Sequence, residues 1–268
     1  MKKYIGIFDS GLGGLTNVKE LHKLMPDENI IYFGDTGRVP YGTRSNDIIL
    51  KYTRQDLRFL LSFPLKAIIV ACGTVSSVAL DTVKQEVPVD IIGVVEPTVS
   101  EALRVTRNNK IGIIGTEGTI KSGSYKNKIL NINKDIEIYE KACPLFVPLV
   151  ENGYLKSEAT KIIAGEYLEE IKKAGVDTLI LGCTHYPLLT EVISEIMGAG
   201  VTLISPGVET AKYACRLFKE KNLINKEAGG GTIDYYVSDD VDKFSYLASM
   251  FLNDKITTNV KKINIEEW

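Results

Sequence analysis

The sequence predicts an α/β protein built as two similar parallel-sheet domains facing each other across a cleft. Three observations carry that reading. Short apolar runs alternate with longer helical patterns along most of the 268 residues. Several of the runs are unbroken Val/Ile/Leu, as expected of strands covered on both faces. The chain also repeats itself: Ile5-Gly6-Ile7-Phe8-Asp9-Ser10 parallels Ile111-Gly112-Ile113-Ile114-Gly115-Thr116, and Ala67–Thr74 parallels Thr178–Thr184. Each half thus places a polar turn after its first strand and a cysteine after a later one.

In order, Tyr4–Phe8 is an apolar run stopped by Asp9 and is the first strand. The helical pattern Leu15–Met25 follows, then a strand at Asn29–Phe33. Asn46–Leu61 is a long amphipathic helix with Ser45 as its candidate N-cap. The strand Ala67–Ala71, the helix Ser77–Glu86 and the strand Ile91–Val94 complete the first half. In the second half, helix Val99–Thr106 precedes strand Ile111–Gly115, and helix Ser122–Leu130 precedes strand Glu137–Glu140. Helix Ser157–Lys173, capped by Ser157, leads to strand Thr178–Leu181; helix Leu188–Met197 leads to strand Val201–Ile204. The tail adds helix Val208–Glu220, strand Ile233–Val237 and helix Asp242–Leu252. Glu96-Pro97 and Ser205-Pro206 are the expected crossing points between domains, and Asn225–Gly231 reads as a surface loop. The expected domains are therefore residues 1–97 plus 206–268, carrying Cys72, and residues 98–205, carrying Cys183.

Composition narrows the function. The chain is 44% hydrophobic and 25% charged, with a net charge of −2. No basic footprint argues for nucleic acid, and no polybasic block argues for an anionic membrane surface. No stretch approaches the ~20 apolar residues of a membrane span, and the N-terminal run is too short for a signal peptide. A cytoplasmic location is expected. The four cysteines, Cys72, Cys143, Cys183 and Cys215, lack zinc spacing. Free thiols and no metal are expected.

In open parallel sheets ligands bind at the carboxyl ends of strands, so the polar loops there are the place to look. Gly11, Gly13 and Gly14 do not meet the G-x-G-x-x-G spacing, which disfavours a dinucleotide. They suit a small anion instead, met by backbone N–H groups with Ser10 adding a hydroxyl. Cys72 and Cys183 each end a strand and have a Thr, Thr74 and Thr184, close behind. Each is expected to open a helix whose dipole lowers the thiol pKa. Cys143 and Cys215 read as core filler. Of the two histidines, His22 reads as a solvated surface residue. His185, two residues beyond Cys183, is placed to exchange a proton near that thiol. Asp9 and Asp35 lie at strand ends, and Asp9 could bond a thiol or a substrate ammonium. Two thiols flanking one Cα would invert it: one, as thiolate, removes the α-proton, and the other delivers a proton to the far face. That chemistry needs neither metal nor pyridoxal phosphate. It does need hydrogen-bond donors to hold the growing negative charge.

The segments Ile7–Leu15, Tyr32–Thr36, Val39–Gly42, Val70–Cys72, Ile113–Thr116 with Thr119, and Leu181–Pro187 together resemble the glutamate racemases over essentially the whole chain. The resemblance implies two α/β domains with the active site between them, one domain discontinuous and closed by the C-terminal segment. It implies that Cys72 takes the proton from the D-enantiomer and Cys183 from the L-enantiomer, with no cofactor. It implies substrate contact or assistance by Asp9, Ser10, Tyr41, Gly42, Thr74, Thr184 and His185, with Thr119 and Glu151 as lesser matches. It also implies glutamate as the small-molecule substrate, D-glutamate for peptidoglycan as the product, and a homodimer in many members. One position departs. Where the family has Asn after the first cysteine, this chain has Gly73, and the expectation is a weaker Michaelis constant that Gly73→Asn would improve.

Three other readings compete. An aspartate or hydantoin racemase of the same fold would use the same thiol pair. A non-catalytic amino-acid binding module would need no paired thiols. A dithiol redox protein would join Cys72 to Cys183, but no C-x-x-C motif supports it.

Overall fold

The structure is a computed structural model that describes residues 3–225, 229–252 and 260–268. Two parallel sheets organise it. The first contains β1 (Tyr4–Asp9), β2 (Ile30–Gly34), β3 (Leu65–Val70), β4 (Asp90–Gly93), β9 (Ile233–Val237) and β10 (Val260–Lys262), in the order β10-β9-β2-β1-β3-β4. The second contains β5 (Lys110–Gly115), β6 (Glu137–Ala142), β7 (Thr178–Leu181) and β8 (Thr202–Ile204), in the order β6-β5-β7-β8. The central order second-first-third-fourth is the same in both sheets, and every pairing is parallel. The internal repeat is thus a repeat of topology, and Cys72 and Cys183 each follow the third strand of their set.

The helices are α1 (Leu15–Leu24), α2 (Asn46–Leu61), α3 (Gly73–Val78), α4 (Leu80–Val83), α5 (Val95–Val105), α6 (Glu117–Ser122), α7 (Ser124–Ile132), α8 (Phe146–Glu151), α9 (Glu158–Lys173), α10 (Thr190–Met197), α11 (Pro206–Glu220) and α12 (Val241–Leu252). Strands β1, β2 and β3 are buried almost throughout, which is why their sequences read as continuous apolar runs. Helix α1 packs on α11, so the chain returns to the first sheet after β8. Cys143 and Cys215 are buried in the core cluster, and His22 is exposed, as their sequence contexts suggest.

Several local expectations need correction. Helix α5 begins at Val95, not Val99, so Glu96-Pro97 lies in its first turn rather than in a connection. A proline there forfeits no helical hydrogen bond, because the first N–H groups have no intrahelical partner. The helix expected over Ser77–Glu86 starts at Gly73 and is broken at Ala79 into α3 and α4. The one expected over Ser122–Leu130 is likewise two helices, parted at Gly123, which adopts a left-handed φ of 63°. Ser157 caps α9 by accepting from the Thr160 N–H, whereas Ser45 occupies the N-cap position of α2 without a side-chain bond. Strand β10 and helix α8 were not anticipated: three residues and six residues are too short to show a period. Part of the Asn225–Gly231 loop, residues 226–228, lies outside the described residues.

Candidate active site

The carboxyl ends of β1, β3, β5 and β7 converge on one small cavity. It is lined by Ser10, Val39, Pro40, Tyr41, Gly42, Cys72, Gly73, Thr74, Thr116, Val147, Cys183, Thr184 and His185. Its volume is about 20 Å³, room for roughly one water. An amino acid enters only if the cleft widens. Among these lining residues there is no Lys or Arg, so an anionic substrate would be held by neutral donors and by His185. A larger cavity of about 670 Å³, among Leu80, Gly93, Asn127 and Tyr213, includes neither lining thiol.

Cys72 is the N-cap residue of α3, in extended conformation, with its Sγ 3.5 Å from Ser10 Oγ. Helix placement was expected to make this thiol acidic. Burial outweighs it and, together with the nearby Asp9 carboxylate, pushes the thiol up to about 12, while Ser10 and the Val75 N–H pull the other way. Cys183 does not open a helix. It sits in a turn followed by a 3₁₀ segment at Tyr186–Leu189, and α10 starts only at Thr190. The dipole expected at Cys183 is therefore replaced by a side chain: His185 Nδ1 lies 3.8 Å from Cys183 Sγ.

His185 is almost wholly buried, and burial alone would lower its pKa. Its contacts to Cys183 and to Glu151, the latter 3.3 Å from Nε2, override burial and raise it to about 10. Its ring meets Phe251 of α12 edge-on, so the C-terminal segment covers this side of the site. Asp9 does not line the cavity. It lies beneath it, accepting from the Gly11 N–H at 3.0 Å and from Thr184 Oγ1 at 3.2 Å, and burial raises its carboxyl pKa despite the opposing pull of His185.

The hydroxyl of Tyr41 is turned away from the substrate space. It is bonded to the buried carboxylates of Asp35 and Asp56, between which Arg38 also lies at 2.5 and 3.0 Å. Burial, with the charge of Asp35, holds the Asp56 carboxyl well above its usual range. This network ties down the loop that carries Gly42. Thr119 also stands one layer back: it bonds Thr116 Oγ1 at 3.0 Å, and Thr116 is the residue at the cavity, 2.9 Å from Thr74 Oγ1 across the cleft. Thr116 was the polar lining residue missed by sequence reasoning, as were the apolar lining residues Val39, Pro40 and Val147. The position of Thr116, matching Ser10 in the internal repeat, was the signal that could have found it.

Residues 18–214 match the model of the Asp/Glu/hydantoin racemase family. The chain belongs to that family. Within the racemases, it is 43% identical to the glutamate racemase of Geobacter metallireducens, over 98% of this chain and 97% of that one. The crystal structure of glutamate racemase isoform RacE1 from Bacillus anthracis superimposes with a TM-score of 0.94 at 34% identity, covering 98% of each chain. The glutamate racemase from Francisella tularensis, solved in complex with D-glutamate, superimposes with a TM-score of 0.93 at 37% identity, over 100% of this chain and 99% of that one. Those two solved structures share the two-sheet fold described above.

Proposed function

We propose that this chain interconverts L- and D-glutamate without a cofactor, using Cys72 and Cys183 as the two acid/base groups. The observation that carries the reading is the placement of two thiols after equivalent strands of two topologically repeated sheets, both lining one closed cavity. The high identity to glutamate racemases supports glutamate over other amino acids. The domains are taken as 1–97 plus 206–268 and 98–205, with the site between them.

In the L-to-D direction Cys183, as thiolate, removes the α-proton. His185 Nδ1, 3.8 Å from that sulfur, is the polar group nearest to it in hydrogen-bonding position. Cys72, held neutral by burial, delivers its S–H proton to the opposite face. The electron pair left by the α-proton spreads onto the α-carboxylate. Hydroxyls of Ser10, Thr74 and Thr116 and the backbone at the start of α3 are the donors available to hold it. In the reverse direction Cys72 must ionise, and the substrate's own ammonium is the positive charge that would favour this. The product suits peptidoglycan synthesis in the cytoplasm. Among the described residues no helix is long and apolar enough to cross a membrane.

Chiral chromatography of L-glutamate, L-aspartate and L-glutamine after incubation with purified, chelator-treated protein tests this. D-glutamate is expected as the main product. Activity restored only by added metal, or faster turnover of aspartate, would contradict it.

A further inference from the structure

One wall of the thiol cavity, from Val39 to Gly42, is a single short loop, and a guanidinium stands behind it. Arg38 donates from Nε to Asp35 at 2.5 Å, from Nη2 to Asp56 at 3.0 Å and from Nη1 to the Gln55 side-chain oxygen at 2.6 Å. Its guanidinium carbon lies 4.0 Å from the centre of the Tyr52 ring, which packs on Tyr41 at 5.3 Å between centroids. A further partner comes from the far end of the chain. Glu266, in the C-terminal 3₁₀ turn Ile265–Glu267, accepts from Nη1 at 3.4 Å, and Gln55 donates to the Ile265 carbonyl at 3.4 Å. The planar fork of an arginine reaches two carboxylates and an amide at once, which the single ammonium of a lysine cannot copy.

The other side of the loop is pressed against the second sheet. A Cβ on Gly42 would lie 2.5 Å from Thr116 Cβ, and one on Gly118 would lie 3.2 Å from the Gly42 carbonyl oxygen. Val39 is also a thin partition. It lines both the closed cavity and a neighbouring hollow of about 200 Å³ that Leu12, Thr36, Glu151 and Phe244 share. A small shift of the loop would therefore change the wall and join the two spaces. The thiols are anchored elsewhere: Ala71 N–H donates to the Phe8 carbonyl at 2.9 Å beside Cys72, and Gly182 N–H to the Ile114 carbonyl at 2.7 Å beside Cys183.

We propose that Arg38, which is not among the cavity's lining residues, is a positioning residue for the substrate: it fixes the Val39–Gly42 wall against the second sheet, and the C-terminal turn helps to fix Arg38. The proposal rests on the racemisation reading above. Because the two sulfurs are held by other contacts, Arg38 governs how tightly the amino acid is held and leaves the proton transfers to the thiols. A residue that only stabilised the fold would behave differently. Its loss would lower the melting temperature and the fraction of active enzyme, hence the apparent kcat, and would leave KM where it was.

The test measures KM and kcat for glutamate racemisation in wild type, Arg38→Lys and Gln55→Leu, with folding checked by circular dichroism and thermal melting. In Arg38→Lys, KM is expected to rise at least about tenfold, the size of losing one hydrogen bond to a charged group. Turnover should stay within about threefold of wild type. Gln55→Leu removes one partner of the guanidinium and leaves both carboxylates paired, so KM should rise by about threefold. It serves as the test if Arg38→Lys does not fold. A KM within about twofold of wild type in the folded variant, whatever happens to its melting temperature, would overturn the proposal. So would a fall in kcat as large as the rise in KM. A wild type that racemises no glutamate defeats the underlying reading; an active wild type whose KM ignores these substitutions defeats only this one.

Discussion

Cys72 sits at the start of a helix with a serine beside it; Cys183 sits in a turn with a histidine beside it. Equivalent strands of a repeated topology deliver the two sulfurs, so the backbone is nearly symmetric while the electrostatics are not. On the Cys72 side the neighbours are a hydroxyl, a helix N-terminus and, below, the Asp9 carboxylate. Burial and that negative charge keep the thiol protonated. On the Cys183 side, Glu151 and the sulfur hold a proton on His185. A racemase working on a pair of mirror-image substrates needs matched reach from both faces. It does not need matched surroundings, and this molecule sets a helix start beside one sulfur and an imidazole beside the other.

The largest expected effect erases the pair. Cys72→Ala and Cys183→Ala should each lower racemisation by at least about 10³-fold, within the range for losing an acid/base group, with thermal melting close to wild type. Polarimetry or chiral chromatography reads this directly. Either variant retaining substantial interconversion would end the two-thiol account.

His185→Gln sharpens the comparison between the two sides. A loss of about 10²-fold in turnover is expected. The equilibrium constant of racemisation is one, so kcat/KM must stay equal from the two enantiomers and cannot reveal the asymmetry. Isotope effects can. With the Cys183 step slowed, the primary deuterium effect should grow for α-deuterated L-glutamate and shrink for α-deuterated D-glutamate. Effects that move together from both enantiomers would break the comparison.

The Glu151–His185 contact makes a smaller, pH-dependent contribution. Folding raises the His185 pKa from about 6.5 for a free imidazole to about 10. Its stabilisation is therefore present in full below about pH 6.5 and is lost as the pH climbs through about 10. Glu151→Gln should lower the melting temperature most below that lower limit, with the gap to wild type closing at the alkaline end. The alkaline limb of kcat/KM should shift to lower pH in the same variant. A melting gap that widens with rising pH would contradict the assignment.

The sequence made the sheets legible because their strands are buried on both faces, and it exposed the thiols because the repeat put Cys72 and Cys183 at matching strand ends. It could not show which side chains stand one layer back. The resemblance implies substrate contact by Tyr41 and a lesser match at Thr119, yet their hydroxyls are committed to Asp35 and Asp56, and to Thr116, which only the folded loops reveal. Nor could it show that Cys183 lacks a helix, since Thr184-His185-Tyr186-Pro187 reads equally well as a helix start. The cover that Phe251 gives to His185 joins residues 66 positions apart, beyond any local pattern. The smallest expected effect follows from the Tyr41 finding. Tyr41→Phe should leave kcat within about twofold while costing about 1–3 kcal/mol of stability, as a buried carboxylate loses its donor. A large loss of kcat with unchanged stability would put that hydroxyl on the substrate.

The most direct test of two opposed thiols is racemisation of L-glutamate in heavy water, stopped at low conversion, with mass analysis of each separated enantiomer. The account predicts deuterium at Cα in the D-glutamate formed, because its proton comes from solvent-equilibrated Cys72, and unlabelled L-glutamate in the recovered substrate. Deuterium entering recovered L-glutamate as fast as it enters D-glutamate would mean that a single group serves both faces, and would contradict the account.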